Sequence, residues 1–218
     1  MTQQQGEPRP PRSLEQALIR WESRFSVGEY LFGERPNAYL ASKAGLFAKG
    51  SRALSIADGE GRNSVWLAQQ GLRVDAFDFS PTAVSKAERL ALSRGVRVGF
   101  NVCEALAWSW EPAAYDLVAA IFIQFASPAV RAQLFPLIEQ TLKPGGLLVL
   151  QGYRTEQLQY GTGGPPELDH LYTEALIREL LRDMDILELR SYDEQVDEGK
   201  GHSGMSALLG AVARKRAA

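Results

Sequence analysis

Short apolar runs alternate with amphipathic runs along the middle of the chain. Five of the apolar runs have the length and composition of buried strands, at 53–57, 72–78, 96–102, 115–122 and 147–151. The segments between them carry apolar residues at helical spacing, at 62–70, 80–94 and 127–142. Strands that alternate with helices predict an α/β protein, with a mostly parallel sheet covered by helices on both faces.

Residues at the helix ends support these boundaries. Ser80 and Ser127 are each followed by proline, which places a capping hydroxyl before a residue suited to the first helical position. Gly95 stands where the second of these helices would end. Pro136 lies inside the third helix and predicts a kink or a break there.

The two ends of the chain have a different pattern. Residues 1–13 are polar and rich in proline, which predicts a disordered tail. Leu14–Phe25 has the apolar spacing of a helix. Near the other end, 186–192 and 205–213 predict two strands paired antiparallel, since no helix fits between them. With no second break in composition, we expect one globular domain over 14–218.

Charge and composition exclude several classes of partner and site. The formal net charge of −2 provides no basic surface for nucleic acid or an anionic membrane. Cys103 is the only cysteine, and His170 and His202 are the only histidines, so we expect neither a disulfide nor a metal site. No apolar stretch has the length of a membrane span, and no signal peptide precedes the first helix. We therefore expect a cytoplasmic protein.

The segment “SIADGEGRNS” joins the first predicted strand to the helix after it. Its glycines allow the backbone to approach a ligand closely, at the strand edge where doubly wound sheets bind ligands. Asp78, at the end of the second strand, is placed to accept hydrogen bonds from a ribose. Glu104 and the backbone of Ala105, just after the third strand, could contact an adenine. The three strand ends together predict an adenosine site, although a lone Gly-x-Gly is often only a tight turn.

The choice of cofactor depends on two nucleotide-binding motifs that the loop does not match. A dinucleotide site has a third glycine where Ser64 stands, and a phosphate-binding loop continues with Gly-Lys-Ser/Thr where this chain has “GRN”. S-adenosylmethionine therefore fits better than a nicotinamide cofactor, and a nicotinamide-dependent oxidoreductase is the less favoured alternative.

The chain resembles class I S-adenosylmethionine-dependent methyltransferases, in particular the small bacterial ones related to tellurite-resistance methyltransferases. The resemblance runs from about Trp21 to the C-terminus and depends on “LSIADGEGRNSVWLAQQG”, “VDAFDFSP”, “LKPGGLLVLQGY”, “EQLQYGTGGP” and “DEGKGHSG”. It implies a Rossmann-like, doubly wound seven-stranded sheet of order 3-2-1-4-5-7-6 with strand seven antiparallel. It also implies a helical lid at 14–45, whose Tyr30 and Gly33 would cover the sulfonium.

The resemblance also implies the cofactor site. The glycine loop would hold the amino-acid moiety of S-adenosylmethionine, or of its product S-adenosylhomocysteine, with ribose and adenine on the next two strand ends. The residues assigned to this site are Ala57, Asp58, Gly59, Gly61, Arg62, Asn63, Asp78, Phe79, Ser80, Glu104, Ala105 and Ile121.

The candidate catalytic residues are His202 and Tyr30. Relatives often have glutamate in place of Asp58, histidine in place of Gln124 and glutamate in place of Gln151. The last two changes remove ionisable groups, which favours a soft acceptor, such as a thiol or a selenium or tellurium nucleophile, that needs little help from a base. The aromatic residues that are candidates for lining an acceptor pocket are Tyr30, Phe32, Phe122, Phe125 and Tyr153.

Little of the chain lies outside the core fold, so we expect the acceptor to be a small molecule. We expect the protein to be a monomer or a homodimer. A non-catalytic S-adenosylmethionine-binding regulator is the other alternative, because the binding residues are present while the ionisable groups at 124 and 151 are replaced.

Overall fold

A central sheet of seven strands organises the protein, whose computed structural model describes residues 14–217. The predicted tail, 1–13, lies outside the described residues. The strands are β1 (Arg52–Ile56), β2 (Arg73–Asp78), β3 (Val98–Val102), β4 (Tyr115–Ile121), β5 (Leu142–Tyr153), β6 (Met184–Asp197) and β7 (Ser203–Lys215). The spatial order is β3-β2-β1-β4-β5-β7-β6, with β1–β5 parallel and β7 antiparallel to both of its neighbours. The predicted sheet is confirmed.

Helices flank this sheet. They are α1 (Leu14–Phe25), α2 (Ala38–Ser42), α3 (Arg62–Gln69), α4 (Pro81–Ser93), α5 (Pro128–Thr141), α6 (Gln157–Tyr160) and α7 (Glu174–Leu180). The short helices α2 and α6 have no counterpart in the sequence prediction, because five and four residues are too few to display a periodic pattern.

The predicted helix starts are present. Ser80 accepts a hydrogen bond from the Ala83 N–H at 3.0 Å, and Ser127 accepts one from the Val130 N–H at 3.4 Å. The predicted break at Pro136 is wrong, since α5 continues through it to Thr141. Neighbouring apolar residues of α5 are buried in the core, and this packing stabilises the helix despite the lost N–H donor.

Two apolar layers cover the sheet because successive side chains of a strand point to opposite faces. Leu54 of β1 packs with Leu134 and Ile138 of α5 on one face. Ala53, the preceding residue, packs with Leu40 of α2 and Leu67 of α3 on the other face. The glycine loop follows β1, a strand that is packed between both layers.

Three strands, β5, β6 and β7, are longer than predicted. β5 begins at Leu142, which pairs with Tyr115 before the ladder shifts register at “KPGG”. β6 and β7 pair from Met184↔Lys215 to Asp197↔Ser203, with one register shift between Ile186 and Glu188, so only 198–202 remain for the hairpin tip. No helix within residues 14–217 is long and apolar enough to cross a membrane.

Candidate functional site

The loop between β1 and α3 turns sharply by means of three residues with positive φ. These residues are Ala57 (+47°), Gly59 (+61°) and Gly61 (+92°). A Cβ atom at Gly61 would lie 2.6 Å from the Ala87 Cβ, so this glycine is needed for the close packing of the loop on α4. At Gly59 the nearest atom to such a Cβ would be Phe25 Cζ at 3.8 Å. A Cβ at Gly59 would therefore make only ordinary contact with Phe25, so the loop is not crowded at this position.

Asp58 shapes this loop from beneath. Its carboxylate accepts hydrogen bonds from Ser55 Oγ at 2.7 Å, from the Ser64 N–H at 3.2 Å and from Ser64 Oγ. Burial raises the pKa of Asp58. Ser64, which replaces the third glycine of a dinucleotide site, therefore uses its hydroxyl to anchor the start of α3. The structure gives Asp58 a structural role under the predicted ligand site.

Asp78 connects the end of β2 to the same loop. It accepts hydrogen bonds from the Gly59 N–H at 2.9 Å and the Ser80 N–H at 3.0 Å. Burial raises the pKa of Asp78 to about 6. Glu104 and Ala105 follow β3, which pairs in parallel with β2, so they lie at the same edge of the sheet. Phe79, also predicted to bind cofactor, stands between Asp78 and Ser80 at this edge and is half-buried.

Helix α1 lies over this edge. Glu22 accepts hydrogen bonds from the Thr82 hydroxyl at 2.5 Å and from the Thr82 N–H at 3.2 Å, and so joins α1 to the start of α4. Phe25, one turn further along α1, packs near Gly59. The predicted cofactor site is thus covered by the first helix.

A buried ion pair holds the chain that follows α1. Lys86 of α4 pairs with Glu60 of the glycine loop, and both side chains are at most 3% exposed. Lys86 Nζ also donates to the carbonyls of Val27 at 2.9 Å and Glu29 at 2.6 Å, while Glu60 accepts from the Leu31 N–H at 2.7 Å. Sequence analysis missed this buried ion pair, because nothing in the sequence indicates that positions 60 and 86 are in contact.

Tyr30, predicted to be catalytic, lies beside the Lys86–Glu60 ion pair. Its hydroxyl donates to the Lys86 carbonyl at 3.1 Å, and its ring packs with Val65 and Leu90. Burial raises its pKa. The structure therefore gives the Tyr30 hydroxyl a backbone partner in α4.

The tip of the β6–β7 hairpin reaches the lid from the other side. A Cβ atom at Gly199 would lie 2.5 Å from the Gly33 backbone nitrogen, and the Gly201 N–H donates to the Leu31 carbonyl at 2.9 Å. The glycines of “DEGKGHSG” thus allow two backbones to touch. This contact places His202 inside the site rather than on an exposed turn.

Three of the predicted aromatic residues surround His202. Its ring centroid lies 4.4 Å from that of Phe32, 4.3 Å from Phe122 and 5.7 Å from Tyr153. Phe125, by contrast, is 46% exposed. Phe122 has a φ of +55°, a strained conformation for a bulky residue, immediately after Ile121 at the end of β4.

Arg62 and Asn63, both predicted to bind cofactor, contact the hairpin and the segment before α2. Arg62 pairs with Glu198 at 2.7 Å, and Asn63 accepts from the Asn37 N–H at 2.9 Å. Burial alone would raise the pKa of Glu198, but His202, Arg62 and the Ala38 N–H together lower it to about 2. Glu198 is a further site residue that sequence analysis missed, although it lies within a motif that was singled out.

Gln124 and Gln151 have structural partners. Gln151 accepts from Asn37 Nδ2 at 2.6 Å and donates to the Tyr192 hydroxyl at 2.6 Å. Gln124 donates to the carbonyls of Tyr153 at 2.9 Å and His170 at 3.0 Å, and accepts from the Tyr153 N–H at 2.5 Å. An amide can donate and accept in this way, whereas a carboxylate can only accept.

Replacing Gln124 with glutamate is therefore expected to lower the free energy of unfolding by about 2–3 kcal/mol, since a buried carboxylate would face two carbonyl oxygens. Urea denaturation at pH 7 measures this loss. Glu156→Gln, an exposed change in the opposite direction, is the control and should alter stability little. A Gln124→Glu protein as stable as the wild type would contradict the assigned hydrogen bonds.

Comparisons with known proteins agree with this geometry. Residues 53–146 match the family model described as a methyltransferase domain. No curated protein sequence matches the chain significantly.

Similar solved structures share the fold at low sequence identity. An S-adenosylmethionine-dependent methyltransferase from Methanosarcina mazei is 19% identical over 84% of this chain and 100% of its own, with a TM-score of 0.67. The N-methyltransferase NodS from Bradyrhizobium japonicum, in complex with S-adenosyl-L-homocysteine, is 17% identical over 91% of this chain and 97% of its own, with a TM-score of 0.70. TehB from Haemophilus influenzae is 16% identical over 83% of this chain but only 62% of its own, with a TM-score of 0.67. The chain therefore matches a methyltransferase domain over residues 53–146 and shares its fold with these methyltransferase structures.

Proposed function

We propose that this protein transfers a methyl group from S-adenosylmethionine to a small-molecule acceptor with a soft nucleophile, such as a thiol or another chalcogen. The observation that carries this proposal is the open backbone at Gly59, held by Asp78 and covered by Phe25. The similar NodS structure contains S-adenosyl-L-homocysteine, and this supports the same cofactor here.

The residues present fit such a cofactor. Each oxygen of Asp78 accepts one backbone N–H and keeps a second lone pair, which can accept a ribose hydroxyl. Gly59 leaves space where any other residue would place a side chain. Glu104 is exposed at the next strand end, where an adenine would lie. Bound S-adenosylmethionine supplies an activated methyl group, and the chain has to position the acceptor against it.

The enclosure of the site supports a small acceptor. Helix α1 covers the glycine loop, while the hairpin tip at 198–202 contacts the lid near Gly33. Gln124 and Gln151 are occupied by structural hydrogen bonds, so neither provides a base. The enclosure supports the smaller members of the acceptor class. A cytoplasmic location stays an expectation from the sequence.

Calorimetric titration with S-adenosylmethionine, S-adenosylhomocysteine and NADH tests the proposal. We expect micromolar binding of the first two, weakened in Asp78→Asn and retained in Asp185→Asn, an exposed carboxylate paired with Arg216. Binding of NADH alone would refute the methyltransferase assignment. Cofactor binding without methylation of any small acceptor would instead favour a regulatory protein.

Affinity for S-adenosylhomocysteine should fall as the pH is lowered through about 6, where Asp78 takes up a proton. One pH unit below its pKa only about a tenth of a carboxyl group is ionised, so we expect about tenfold weaker binding at pH 5. The pKa of Asp78 in the fold exceeds that of an unfolded aspartate, so the protonation of Asp78 favours the folded state and does not itself unfold the protein. Calorimetry from pH 7.5 to 5 measures the effect, and an equally steep pH dependence in Asp78→Asn would contradict it.

A further inference from the structure

Glu198 and His202 form a carboxylate–imidazole pair at the tip of the β6–β7 hairpin. Glu198 Oε2 lies 3.9 Å from His202 Nδ1, and the two side chains are only 12% and 11% exposed. Nδ1 makes no hydrogen bond to any residue that the structure describes. A carboxylate on this side of the ring favours the tautomer with the proton on Nδ1, which leaves the Nε2 lone pair free to accept a proton.

The charges around the imidazole keep it neutral. Burial lowers the pKa of His202, and the charges of Arg62 and Arg24 lower it further, while Glu198 opposes them. Tyr153 is the other titratable group against the ring, and burial raises its pKa, so it carries no charge near pH 7. His202 is therefore available as a base.

The same surroundings disfavour an anionic acceptor. Arg62 is committed to Glu198 at 2.7 Å, and Arg24 packs over the ring of Trp21, with its Cζ 4.4 Å from the ring centroid. The walls of the cluster are the rings of Phe32, Phe122 and Tyr153. Such walls suit a neutral molecule, and sulfur makes favourable contacts with aromatic rings. An oxyanion would lose its hydration there without gaining a free cation.

We propose that His202 Nε2 removes the proton of a neutral thiol acceptor, with Glu198 as a positioning residue, an inference that rests on the proposed function. A new bond forms between the acceptor sulfur and the methyl carbon. The bond from the methyl carbon to the sulfonium breaks, and its electron pair stays on the leaving sulfur of S-adenosylhomocysteine. The S–H proton goes to Nε2 and then to water. A thiol, with a pKa of about 8.5, suits this base better than a phenol at about 10.

Methylation of two thiols by His202→Gln tests the inference. With 2-mercaptoethanol, which is protonated at pH 7, we expect kcat to fall by about 100-fold or more. With 4-nitrothiophenol, an acidic thiol that is already ionised at this pH, the loss should be less than about tenfold, because no base is needed. His170→Gln, which changes the other histidine, is the matched control and should retain activity with both thiols.

Two further readouts separate a base from a structural residue. The chain has two histidines, so the imidazole NMR signal that is missing from the spectrum of His202→Gln belongs to His202. We expect it to titrate below 6.5 in the wild type and lower still in Glu198→Gln. The affinity of His202→Gln for S-adenosylhomocysteine should stay within about twofold of wild type, since His202 is not proposed to hold the cofactor.

Equal losses of kcat with both thiols, or a preference for selenite or tellurite over thiols, would overturn the inference. A pKa of the His202 imidazole above 6.5 would also overturn it. So would a protein that binds the cofactor but methylates no thiol. Failure of the wild type to bind S-adenosylmethionine would instead refute the proposed function itself.

Discussion

Replacing Gly61 with alanine is expected to lower the free energy of unfolding by about 2–5 kcal/mol, the sum of left-handed backbone strain and overpacking. Gly61 has a φ of +92°, and an added Cβ would lie 2.6 Å from the Ala87 Cβ and 2.8 Å from its Cα. The backbone of α4 cannot move aside as a flexible side chain would. The loop must shift instead, so cofactor affinity should fall together with stability.

Gly95→Ala is the matched control for this prediction. Gly95 lies at the end of the same helix, α4, with a φ of +67°, but no atom lies within 4 Å of an added Cβ. Gly95→Ala should lower the free energy of unfolding only by the backbone strain, about 1 kcal/mol. Chemical denaturation of both variants measures the difference. Equal losses would show that close packing on Ala87 contributes nothing.

Replacing Lys86 with methionine is expected to destabilise the protein by about 3–5 kcal/mol, because a buried carboxylate is left without its partner. Glu60 and Lys86 are 2% and 3% exposed, and Lys86 also satisfies the carbonyls of Val27 and Glu29. The segment before Leu31 would lose the hydrogen bonds that Lys86 Nζ donates to its carbonyls. We therefore expect weaker cofactor binding even at temperatures where the variant is folded.

Two further variants make this test specific. Lys200→Met removes the partner of Glu29 in a pair that is 79% and 73% exposed, and it should change the stability little. The double variant Glu60→Gln/Lys86→Met should recover part of the loss, because no buried charge then lacks a partner. A Lys86→Met protein no less stable than Lys200→Met would show that the buried pair does not hold the lid.

The strands and the helix starts could be predicted because they depend on local signals, whereas the strand order was implied by the family resemblance. The apolar run before Asp58 and the Ser80-Pro81 pair each carry their own evidence, and the parallel connections follow from the alternation of strands and helices. Pro136 shows the limit of such signals, since burial of the helix around it overrides the local cost. The interpretation of Gln124 and Gln151 as lost ionisable groups likewise could not anticipate their backbone and side-chain partners.

The sequence by itself determined the α/β class, the glycine loop, the acidic residue that ends β2, and the methyltransferase resemblance. Only the tertiary structure decided which side chains are free to act. It commits Tyr30, Arg62 and Asn63 to holding the lid and hairpin, and it brings Glu198 and His202 into a cluster with Phe122. The physical reason is that these partners are far apart in the chain. Local composition sets the propensity of a segment, whereas the contacts of a buried polar group depend on which distant segment packs against it.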